Sequence, residues 1–72
     1  MNKSDIARLQ KYLQEKFGNK DIVLVERKND KESLEVTLKG EFIGTVYRDE
    51  DEGDISYDFN MAILEMDLPA AA

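Results

Sequence analysis

"SLEVTLKGEFIGTVYR", residues 33–48, is the stretch that most restricts what this chain can become. Leu34, Val36 and Leu38 alternate with polar residues and so share one face of an extended strand. Lys39-Gly40 interrupts the pattern, and a second strand resumes at Glu41. A two-residue loop with glycine second meets the positive-φ demand of a tight hairpin turn, which makes the two segments antiparallel neighbours. With Leu38 opposite Glu41, Val36 falls opposite Ile43 and Leu34 opposite Thr45. That register turns Ile43, Thr45 and Tyr47 toward the core and leaves Phe42 and Val46 outside. A three-residue loop reverses it, with Phe42, Gly44 and Val46 inward. Gly44 inside the strand marks a bulge or a close packing approach.

The flanking segments extend this hairpin. Upstream, Ile6, Leu9, Leu13 and Phe17 recur at helical spacing, with Ser4 placed to cap and Gly18 to terminate a helix over residues 4–17. "DIVLVER", 21–27, is too short for a helix and reads as a strand buried on both faces around 22–25. Downstream, Ile55, Tyr57, Phe59, Met61 and Ile63 alternate with Ser56, Asp58 and Asn60, a long strand. The pattern carries strand character through 61–68, although "MAILEM" also has the composition of a short helix capped by Asn60. The prediction is an α+β fold, an N-terminal helix packed on a four-stranded, mainly antiparallel β-sheet in the order α-β-β-β-β. It forms one domain over 1–68, and "PAAA", 69–72, is a frayed tail.

One helix with a narrow apolar stripe does not cover two apolar sheet faces. Val23, Val25, Phe42, Val46, Ala62, Leu64, Met66 and Leu68 are therefore candidates for a second apolar surface, of the kind that marks contact with another chain. Phe42, Val46 and Leu64 are its expected anchors. On that reading Val46→Asp abolishes association and leaves the helix intact. A chain of 72 residues buries about 60–65% of its unfolded surface, so reinforcement is expected. The sequence has no cysteine to form a disulfide, which makes oligomerisation, a homodimer in the simplest case, the leading device.

Composition narrows the chemistry. There is no histidine or cysteine, so the usual ligand sets for zinc, haem and iron–sulfur clusters are missing, and no cofactor is called for. Ser4, Ser33 and Ser56 fall at a cap, a strand edge and a sheet position rather than beside an activating base. Nothing indicates that a carboxylate pair such as Asp58 and Glu65 is held at a working separation. The glycines do not follow phosphate-loop spacing. The expectation is a protein that is not an enzyme. A net charge of −6 argues against a nucleic-acid partner, and the absence of a run of roughly 18 apolar residues argues against a membrane span. A cytoplasmic setting is the default. The charge is also polarised: Lys3, Arg8, Lys11, Lys16 and Lys20 face only Asp5 and Glu15 in residues 1–20, whereas residues 41–72 carry nine acids against Arg48.

Five of the acids crowd into "RDEDEGD", 48–54. A calcium-binding EF-hand loop needs oxygen ligands at its first, third and fifth positions, glycine at the sixth and glutamate at the twelfth. Counted from Asp49, glycine arrives one place early and the twelfth residue is Asn60. The segment is read as a solvated hairpin turn, since aspartate tolerates turn conformations and glycine accepts positive φ. The alternative function is a weak divalent-cation response through Asp49, Asp51 and Asp54.

"ARLQKYL" at 7–13 and "EFIGTVYRDEDEGDISYDFNMAILEMDL" at 41–68 together give the chain a further character. In these segments it resembles a family of short alphaproteobacterial proteins, domain of unknown function family 3126. The resemblance implies a bacterial cytoplasmic protein. It brings no catalytic or binding residues, so the functional expectation remains a non-enzymatic protein-interaction module acting through a protein partner or self-association.

Overall fold

The computed structural model describes residues 1–71. Helix α1 runs Lys3–Phe17, followed by β1 Ile22–Arg27, β2 Asp30–Leu38, β3 Glu41–Asp51 and β4 Asp54–Asn60, with a single 3₁₀ turn at Glu65–Asp67. The strands form one open sheet in the order β1-β2-β3-β4, every neighbouring pair antiparallel. The expected α-β-β-β-β architecture is thus present.

The helix is capped two residues earlier than expected. Asn2, in extended backbone, accepts a hydrogen bond from the Asp5 N–H at 2.8 Å, so Asn2 rather than Ser4 is the N-cap. At the other end Gly18 takes the left-handed conformation (φ 59°), and the Asn19 N–H reaches back to the Gln14 carbonyl at 2.9 Å. Leu13 is buried, with Ile6 and Leu9 packed beside it against Ile22, Leu24, Leu34, Val36 and Val46.

Both later hairpins close through two residues of positive φ, Lys39-Gly40 (53° and 82°) and Glu52-Gly53 (52° and 86°), the pattern of a type I′ turn. Leu38 does lie opposite Glu41, as expected of the two-residue loop, and Thr37 lies opposite Phe42. Val36 then pairs with Gly44 instead of Ile43. Ile43 is an extra residue, a β-bulge, and every later position of β3 is inverted relative to the expected register. Leu34 therefore opposes Val46, which is 2% exposed and belongs to the core, while Thr45 and Tyr47 lie with Glu35 and Ser33 on the other face. Val46 is thereby removed from the expected second surface.

Two further expectations change. Strand β1 is a sheet edge: Ile22 and Leu24 are buried, but Val23 and Val25 face outward and are exposed. Strand β4 ends at Asn60, so 61–68 is neither a continued strand nor an α-helix. The ladder stops at the Thr45–Asn60 pair, next to the bulge. The segment beyond it is exposed throughout its described length. The tail expected at 69–72 includes Ala72, which lies outside the described residues.

Candidate interaction surface

Where the helix sits decides what stays open. Its glutamines, one turn apart, bind the edge of β1: Gln10 Oε1 accepts from the Leu24 N–H at 3.0 Å, and Gln14 Nε2 donates to the carbonyls of Ile22 (2.8 Å) and Lys20 (3.3 Å). These bonds satisfy backbone groups that an edge strand otherwise offers to another chain. They also hold the helix over the β1 side of the sheet, and β1 is the strand its backbone approaches. A helix about 10 Å across cannot span four strands set about 4.8 Å apart. Toward β4 the cover thins: Val46 on β3 is buried, whereas Tyr57 and Phe59 on β4 are only partly buried.

A groove of about 480 Å³ results, walled by Leu9, Tyr12 and Leu13 of α1 and floored by Val46, Tyr57 and Phe59. Phe17, at the helix end, meets Phe59 edge-on with ring centroids 6.3 Å apart. Two of the three tyrosines and two of the three phenylalanines thus gather along this groove. Arg8 stands at its mouth, 3.5 Å from Asp5 and with its side chain 79% exposed. Farther along the same face Arg48 reaches Glu32 at 3.3 Å and Glu50 at 3.7 Å. Partial burial opposes the charge on Arg48, but Glu50 and Glu32 outweigh it and raise its pKa.

A second groove, about 740 Å³, lies between the start of β3 and the segment that follows β4. Here the structure brings Phe42 and Leu64 together, with Ile43, Met61 and Ile63 beside them. Phe42 is 57% and Leu64 54% exposed. Of the three expected anchors, these two share a surface; Val46 lies on the opposite face of the sheet from Phe42. Strand alternation alone did not reveal the helix-side groove. Its signal was the spacing of Gln10 and Gln14, which placed a polar pair on the helix flank where it could bind an edge.

The acidic residues form a hairpin tip. Asp49 and Asp51 belong to β3, Asp54 opens β4 opposite Asp51, and the turn proper is Glu52-Gly53. Among the described residues there is no group of three or more acidic side chains placed to hold a metal ion. The geometry therefore lends the cation alternative no support. Asp58 and Glu65 are exposed, as are Ser4 and Ser56; Ser33 is buried, its hydroxyl accepting from Arg27 Nη1 at 3.4 Å. Asp30 accepts from the Glu32 N–H at 2.9 Å, and this bond, with one from Ser33, holds its carboxyl below the usual range. These contacts tie down the β1–β2 turn.

Fold and surface together define a small α+β domain whose single helix packs on one sheet face and which leaves several large apolar side chains exposed. The model of the family described as "Protein of unknown function (DUF3126)" matches residues 5–67, and the chain belongs to that family. No curated protein and no solved structure matches it. Among the described residues no helix is long and apolar enough to cross a membrane.

Proposed function

We propose that the protein is a non-enzymatic, cytoplasmic interaction module that self-associates. The observation that carries this reading is the amount of surface left uncovered. A compact monomer of 8.3 kDa exposes about 4,600 Å². This chain exposes 5940 Å². The excess of roughly 1,300 Å² per chain exceeds the roughly 800 Å² that each partner contributes to an ordinary stable interface. The core holds six buried hydrophobic residues, while twelve large hydrophobic residues are exposed among the described residues. Single exposed apolar side chains are ordinary; continuous apolar grooves on a chain this small favour a partner.

Solution mass by light scattering across a concentration series, at low and high salt, tests the reading. A mass rising toward twice 8.3 kDa with concentration supports it. A mass that stays at one chain up to millimolar concentration counts against self-association.

A further inference from the structure

The register sorts the charges of the β3–β4 hairpin by face. Arg48 and Glu50 follow Val46 onto the helix side, where Arg48 takes both Glu50 and Glu32 as partners. Asp49 and Asp51 follow Tyr47 onto the opposite face, joined across the ladder by Asp54 and Asp58 of β4. Glu35 of β2 lies opposite Thr45 on that face as well. The four aspartates are exposed, and among the described residues none of the five carboxylates forms an ion pair. Arg27 donates to the Ser33 hydroxyl at 3.4 Å and, with Lys31, lines the cleft at the helix start beside Met1 and Ile6.

The other end of the same face is apolar. Val23, Thr37 and Phe42 stand in one row across β1, β2 and β3, with Val25 and Tyr47 on the rows behind it. Val23, Val25, Phe42 and Tyr47 are each at least 40% exposed. Phe42 also borders the groove of Met61, Ile63 and Leu64, so the apolar surface continues past the sheet. We propose that this face, opposite α1, docks a cationic amphipathic helix of another protein, with its apolar stripe on Val23, Val25 and Phe42 and its lysines or arginines along Asp49, Asp54 and Asp58. The charge excludes the simplest other occupant: a second copy laid face to face sets the five carboxylates of each chain against those of the other. A helix fits the row, since β1 to β3 spans two strand spacings, about 10 Å, which is the width of a helix. Along β3 the distance from Phe42 to Asp51 is about 30 Å, or about 20 helical residues. A layer of helix on each side of a sheet is also one of the stable ways to bury both its faces. The inference goes beyond self-association and does not depend on it.

A fluorescein-labelled synthetic helical peptide of about 20 residues, with a leucine stripe and with lysines over its second half, tests the proposal by fluorescence anisotropy. It is expected to bind the native chain, more weakly as salt is added. The combined Asp49→Asn, Asp54→Asn and Asp58→Asn chain, and Phe42→Ser alone, are each expected to raise the dissociation constant at least about tenfold, while circular dichroism shows the fold retained. Tyr12→Ser, in the helix-side groove, is expected to leave it unchanged. Loss of binding in Tyr12→Ser with retention in Phe42→Ser overturns the assignment of the face. Equal binding of an isomeric peptide without the apolar stripe reduces the contact to general charge attraction and overturns docking, as does the absence of binding at millimolar peptide. A native chain that is monomeric in light scattering and still binds the peptide removes self-association and supports this proposal.

Discussion

Val46→Asp separates core from surface more sharply than any other single change, because the simple alternating register places Val46 outside and the bulge at Ile43 places it within. Val46 is 2% exposed between Leu34 on β2 and Phe59 on β4. Removing its burial costs about 1.5–3 kcal/mol. A carboxyl group left there without a hydrogen-bond partner adds about 1–3 kcal/mol even when neutral. The total, roughly 3–6 kcal/mol, approaches the roughly 4–11 kcal/mol expected for a domain of this length. The matching change Phe42→Asp, at a side chain 57% exposed, should stay within about 0.5 kcal/mol when measured at concentrations too low for association. Urea unfolding followed by circular dichroism reads both. With a slope near 1 kcal/mol per molar urea, Val46→Asp should lower the midpoint by about 3 M or abolish the folded baseline. The pH dependence has a definite sign. Burial raises the pKa of the introduced carboxyl in the folded state, so the deficit relative to the native chain is smallest below the unfolded value and grows as pH rises through the folded one. A Val46→Asp chain with a native midpoint, or a deficit that shrinks as pH rises, refutes the inward placement.

Gly44→Ala tests the bulge itself: a Cβ there would stand 2.7 Å from Phe59 Cε1 and collide with the Asn60 carbonyl oxygen. It should destabilise by about 1–3 kcal/mol in thermal or urea unfolding, whereas an unstrained glycine-to-alanine change stabilises. Gln10→Ala should cost about 1 kcal/mol and speed hydrogen exchange at the Leu24 amide, which its carbonyl now holds. Asp30 has a lowered pKa in the fold, so its contribution is complete above the ordinary carboxylate value and lost as pH falls through the lowered one. Asp30→Asn should therefore flatten the acid limb of the stability profile, and an unchanged limb would remove Asp30 from it.

The parts of the fold that could be read from the sequence are those governed by local periodicity. Ile6, Leu9 and Leu13 marked the helix, Leu34, Val36 and Leu38 a strand face, and both Lys39-Gly40 and Glu52-Gly53 supplied the conformation their turns adopt. What escaped were consequences of contact between distant segments. The turn was read correctly and the register still inverted, because one extra residue at Ile43 shifts every following side chain to the other face. Gly44 carried the signal, but the atoms that require it to be glycine belong to Phe59 and Asn60. The continuing alternation through Met61 and Ile63 likewise suggested more strand, yet the neighbouring ladder had already ended at Thr45. Of the expected surface, Phe42 and Leu64 were legible because they fall outside on any reading that keeps the two-residue turn. The helix-side groove was not, because it depends on the sideways position that Gln10 and Gln14 impose.

That sideways position also bears on how far association can proceed. An open sheet has two edges, and an apolar surface between two free edges invites chains to add indefinitely. Here the β1 edge is closed by glutamine bonds to Leu24 and Ile22, while β4 carries Asp54 and Asp58. Acids along an exposed edge disfavour the close approach of another acidic strand. The surfaces left for a partner are then grooves rather than edges.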